Sequence, residues 1–116
     1  MIRSKTLVVG VAGAVAQAAT AYSETWDFVN AQGYTSVQIA STAGSITVTR
    51  QCSIDGTNFY DPVDINGNAM GQVVTAMTVG TKYITYDPVP SPYVRFKVVE
   101  ANSASTVVTI TAVNLE

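Results

Sequence analysis

The side chains in this 116-residue chain that could do chemistry are carboxylates, amides and aromatics. There is no histidine, so a Ser-His or Cys-His nucleophilic pair and any histidine metal site are excluded. Acid–base work falls to carboxylate pairs. Asp61 and Asp64 are the closest in sequence, with Asp55 and Asp87 able to approach them in space. A glycosidase needs two such groups, but also a long cleft that a domain of this size seldom forms alone. We therefore read the chain as non-enzymatic. Calcium suits the acidic stretch better. Asp64, Asn66 and Asn68 offer oxygens at alternate positions, as the start of an EF-hand loop does, and Asp61 is a further oxygen donor nearby. The spacing then fails, because Ala69 stands where the sharp-turn glycine belongs, Gly67 comes too early and Thr75 replaces the bidentate glutamate. Ordinary loop chemistry explains Asn66-Gly67-Asn68 equally well. No cofactor is expected.

Cys52 is the single cysteine, so no intrachain disulfide can form. It alternates with Val48 and Ile54 and reads as a small core side chain. The aromatics could include a stacking platform for a sugar ring. Alternation instead predicts Phe96, Phe59 and Trp26 in the core, with Tyr60 and Tyr93 facing outward. Outward tyrosines on a sheet more often serve cross-strand packing or an interface.

The elements that would hold these groups read as strands. In Ser45 to Tyr60, Ile46, Val48, Arg50, Cys52 and Ile54 share one face and Thr47, Thr49, Gln51 and Ser53 the other, the period of two of a half-buried strand. Asp55-Gly56 supplies a turn, and Asn58 to Val63 reads as the return strand. Pro92 to Glu100 alternates again, with Val94, Phe96 and Val98 opposed to Arg95 and Lys97, which read as its solvated side. Further strands are expected at Glu24 to Val29, Tyr34 to Ala40, Gln72 to Val79, Lys82 to Asp87 and Thr106 to Leu115. Pro88, Pro90 and Pro92 cannot donate to a ladder, so that stretch is an edge or exposed loop. The pattern predicts one all-β domain, an antiparallel sandwich or barrel of seven to nine short strands.

Arg3 and Lys5 precede an apolar run from Leu7 to Ala16, and the small residues of Ala14 to Ala18 resemble a signal-peptidase site. The run is shorter than the roughly twenty residues of a membrane span, so no membrane is implicated. We read Thr6 to Val11 as a first strand and Ala12 to Ala21 as an extended arm or short helical piece. Residues 1–21 would then form a strand and arm, and residues 22–116 the sandwich. A secreted surface or filament subunit would instead use residues 1–18 as a signal.

Charge is scarce. Only 12% of residues are Asp, Glu, Lys or Arg and the net charge is −2, against about 25% charged residues in ordinary domains. The six basic residues are scattered, which argues against nucleic acid. A folded chain of this mass exposes roughly 6,000 Å², and fourteen charged side chains cannot cover it. Obligate interfaces are charge-poor in this way. Leu7, Val9, Val11 and Val15 of the arm, with Tyr60, Pro88, Pro90 and Tyr93, are the interface residues this reading selects.

Ser53-Ile54-Asp55-Gly56, then Asn58-Phe59-Tyr60-Asp61, a glycine-rich middle, Pro92 to Val98 and a Thr/Val-rich last strand together resemble small virion proteins of tailed bacteriophages. The resemblance spans roughly Gly33 to Val113. It implies a structural protein of the particle that decorates and cements the head, on its outer surface and after assembly in the host cytoplasm. Its partners would be the major capsid protein and its own copies, as a homodimer or homotrimer. Similar folds serve in tails and head fibres, which leaves a glycan-binding adhesin open. The resemblance brings no catalytic residues.

Overall fold

The computed structural model describes residues 2–27, 32–86 and 91–115. Pro88 and Pro90 lie outside them. Among the described residues, the alternating segments form ten strands and no helix: β1 (Ile2–Val8), β2 (Ala14–Val15), β3 (Thr20–Tyr22), β4 (Trp26–Asp27), β5 (Gln32–Ser41), β6 (Ile46–Ser53), β7 (Gln72–Met77), β8 (Gly80–Tyr86), β9 (Tyr93–Glu100) and β10 (Thr106–Leu115). All pairings are antiparallel and build two facing sheets. One runs β8-β5-β10, with β1 and β2 sharing the outer edge of β10; the other runs β7-β6-β9, with β3 and β4 sharing the outer edge of β9. The all-β sandwich expected from the alternation is therefore the fold.

The core is the space between the sheets. Val37, Ile39, Val108, Ile110 and Ala112 project from the first sheet and Ile46, Val48, Val94, Phe96 and Val98 from the second. Each fully buried side chain of this kind stabilises the fold by about 1.5–3 kcal/mol.

The amino-terminal segment corrects the expectation of an arm. Leu7 and Val9 are 0% exposed and Val15 2%, so these three are core residues, not interface residues. Val11 alone of the four points away, at 84% exposure. The physical reason is the edge of each sheet. β10 and β9 would otherwise end in unpaired N–H and C=O groups, and the segment pairs with β10 through β1 and β2, then crosses to pair with β9 through β3 and β4. The crossing needs sharp reversals, and left-handed backbone at Gly10, Ala12, Gly13 and Ala18 provides them. Gly13 donates to the Val9 carbonyl at 2.9 Å and its own carbonyl accepts from Val108 at 2.9 Å. Those contacts leave no helix to form in the alanine-rich tract.

The second departure follows β6. Ile46, Val48 and Arg50 are buried as the alternation predicts, but Cys52 is half-buried and Ile54 is 89% exposed. The core ends before Cys52, and Ile54 lies beyond the strand. The expected return strand shrinks to one bridge between Cys52 and Tyr60. Asp55 curls the chain instead, its carboxylate accepting from the Thr57 and Asn58 backbone N–H groups, each at 2.9 Å. The neighbours of β6 are β9 and β7.

Candidate functional site

Because β9 alternates, burying Val94, Phe96 and Val98 turns Tyr93, Arg95 and Lys97 onto the outer face of the second sheet. The register sets Gln51 opposite Arg95, and Tyr22 of β3 opposite Lys97. Phe59 and Asp61 reach the same face from the loop after β6. Phe59 therefore does not join the core, whereas Trp26 and Phe96 do.

Arg95 is the centre of this face. Its guanidinium lies 4.2 Å from the Tyr22 ring centroid and 4.3 Å from that of Phe59. Each such cation–π contact contributes about 0.5–1 kcal/mol at an exposed site. Arg95 Nε donates to Gln51 Oε1 at 2.8 Å, and Gln51 Nε2 donates to Asp61 Oδ1 at 2.9 Å. The other Asp61 oxygen pairs with Lys97 Nζ at 3.2 Å. The Gln51 hydrogen bond, with help from Lys97 and against partial burial, holds the Asp61 carboxyl below its ordinary range. The basic pair expected to be merely solvated is thus structured: Lys97 is neutralised and Arg95 is stacked.

Beside this face, the loop between β6 and β7 exposes Ile54, Tyr60, Val63, Ile65 and Met70, with Ile65 at 100%. Its shape is fixed from within. Asp64 Oδ1 accepts from the Asn66 and Asn68 N–H groups at 2.8 and 2.9 Å, and Oδ2 accepts from Asn68 Nδ2 at 3.2 Å. These bonds lower the Asp64 carboxyl's pKa. Of the calcium candidates, Asp64 is thus occupied by the Asn66 and Asn68 backbone N–H groups and by Asn68 Nδ2, and Asp61 is held by Gln51 and Lys97. Among the described residues no three acidic, cysteine or histidine side chains converge. An open groove of about 380 Å³ is lined by Asp55, Asn58, Tyr60, Pro62, Ser91 and Pro92, among others. Tyr60 is exposed there as alternation predicts. Tyr93 is half-buried, with Gly56 stacked against its ring.

Glu100 is the residue that sequence reasoning missed. Buried at the end of β9, it accepts backbone N–H bonds from Ala18 at 3.0 Å, Ser45 at 3.0 Å and Ser103 at 2.9 Å, tying three loops together. Those bonds, led by Ala18 and Ser45, pull its pKa down to about 2. A signal was present: Glu100 continues the inward set Val94, Phe96, Val98, where a charge needs partners.

No protein-family model and no curated protein matches the chain. Solved structures share its fold. The SPBc2 prophage-derived protein YomS superposes with a TM-score of 0.60 at 12% identity, over all of this chain and 96% of that one. Chitosan-binding module 1 of a Paenibacillus sp. IK-5 chitosanase/glucanase gives 0.52 at 16% identity, over 97% and 93% of the two chains. A Bacillus endospore appendage protein, from a family of disulfide-linked pili, gives 0.51 at 14%, over 100% and 90%. At such identities the likeness is one of fold. It is a β-sandwich that also occurs in a prophage-derived protein.

Proposed function

We propose that this chain is a non-enzymatic structural subunit of a phage particle, one that decorates and cements the head through repeated contacts with the shell protein and with its own copies. The observation that carries the reading is the apolar rim Ile54, Tyr60, Val63, Ile65 and Met70, exposed on a surface with little charge. An exposed cluster of this kind marks an interaction site. The internal ties of the Asp64 turn present it without the ordering cost of a mobile loop. The prophage origin of a protein with this fold agrees with that assignment. The acidic groups also favour a structural role, since Asp55, Asp64 and Glu100 each cap backbone and Asp61 is paired.

Mass spectrometry and cryo-electron microscopy of purified particles, with heads separated from tails, test this reading. The expected result is the chain on the head exterior in copy numbers matching the shell symmetry. Its absence from particles overturns the proposal. A second reading, a glycan-binding adhesin of a tail or fibre, is favoured by the exposed Tyr60 along the 380 Å³ groove and by the shared fold of a chitosan-binding module. Binding of the isolated protein on a glycan array, lost in Tyr60→Ala, would select it. A secreted filament subunit lacking residues 1–18 would lose Leu7, Val9 and Val15 from its core.

A further inference from the structure

Arg95 has more order than its own fold requires. Its guanidinium carbon lies 4.2 Å from the Tyr22 ring centroid and 4.3 Å from that of Phe59, and its Nε is fixed by Gln51, which Asp61 orients in turn. The two terminal nitrogens have no hydrogen-bond partner among the described residues, and they are not among its buried unpaired atoms. An arginine held this way has already lost the rotamer freedom that binding would cost, and its open edge matches the two oxygens of a carboxylate. The Asp61 carboxylate, which orients Gln51, is itself engaged by Gln51 and Lys97 and makes no ion pair with Arg95.

We infer that the Arg95 clamp is a docking point for an aspartate or glutamate side chain of a neighbouring protein subunit. This inference rests on the structural-subunit reading and names the chemistry of the partner surface. The observations favour a protein carboxylate over an anionic sugar, because the two rings beside the guanidinium, Tyr22 and Phe59, are already stacked on Arg95. Buried tyrosine and arginine together are the typical centre of a protein interface. The exposed apolar rim of the adjoining loop supplies the surrounding surface that excludes water.

The test uses the full chain and an N-acetylated tetraglutamate peptide as probe, followed through the Arg95 Nε–Hε resonance at low salt. A saturable shift is expected. Arg95→Gln should abolish the peptide's effect on neighbouring backbone signals, and Arg95→Lys should weaken binding about tenfold, because a lysine cannot reproduce the paired hydrogen bonds. Phe59→Leu, which keeps the charge and removes one stacking face, should weaken it less. Cooperative thermal unfolding well above the titration temperature shows that the variants are folded. No saturable shift in the parent chain, equal binding by Arg95→Gln, or tighter binding of tetragalacturonate than of the peptide overturns the inference. The titration reads the clamp alone, so it can fail while the chain is found on particles, or succeed while it is not.

Discussion

Two apolar, irregular stretches of this chain have opposite fates. The segment from Ile2 to Trp26 and the loop from Ile54 to Gly71 both carry valines, isoleucines or leucines between glycines, and both look like surface that could meet a partner. The first is folded into the protein's own sandwich, with Leu7 and Val9 fully inside, while the second holds Ile65 entirely in solvent. Hydrophobicity does not separate them. Backbone partners do: the amino-terminal segment lies along the open edges of β10 and β9 and completes both ladders. The backbone of the Ile54 loop meets the sheets at little more than the Cys52–Tyr60 bridge and the Arg50–Gly71 bond; Phe59 and Asp61 add side-chain contacts with β6 and β9, while Asp55 and Asp64 close the turns from within. An apolar stretch is drawn into the fold when an unpaired edge is within reach and stays exposed when it is not.

The strongest attempt to break this contrast is removal of residues 1–20. If the segment is structural, the truncated chain loses cooperative unfolding altogether, read by circular dichroism during thermal denaturation; a truncated chain that still melts cooperatively makes it an arm after all. Leu7→Ala is the next largest effect, with an expected loss of about 2–5 kcal/mol in urea denaturation. A loss under about 1 kcal/mol would put Leu7 in the class of ordinary surface positions.

Glu100→Gln sharpens the contrast through pH. The carboxyl titrates near 2 in the folded chain against an ordinary 4.5. A depressed folded value means that its contribution is complete above about pH 4.5 and is lost as pH falls from there towards 2. The gap in denaturation midpoint between parent and variant should be constant from about pH 7 to 5 and close below about pH 4. A gap independent of pH would show that shape, not charge, ties the three loops. Ile65→Ser in the exposed loop is the smallest effect, within about 0.5 kcal/mol, and on the proposed function it should nonetheless lower occupancy on particles. Equal costs for Leu7→Ala and Ile65→Ser would erase the distinction between the two regions.

Strand alternation was legible where a strand is flanked on both sides by partners. β9 and β10 fall on Tyr93–Glu100 and Thr106–Leu115, within a residue of what their sequence predicts, because both sit inside a sheet and bury every second side chain, apolar along the middle of each strand. The candidate site was only half legible. The outward placement of Arg95 and Lys97 follows from period two, but their partners Tyr22, Gln51, Phe59 and Asp61 come from β3, β6 and the following loop, up to 73 residues away from Arg95 in the chain. No local pattern marks Gln51 as the residue that orients Arg95.

By itself the sequence determined that this is an antiparallel β domain without histidine chemistry, poor in charge, with its core on the inward faces of the alternating strands. Those properties are local, since each follows from residue type and spacing along one strand. The tertiary structure alone decided that the amino-terminal segment closes both sheets, that the Asp55 turn leads into an exposed rim in place of a return strand, and that Arg95 stacks with Tyr22 and Phe59 and is bonded by Gln51. Each of these depends on which unpaired edge or face lies within reach of which segment, a long-range condition that spacing along the chain does not encode.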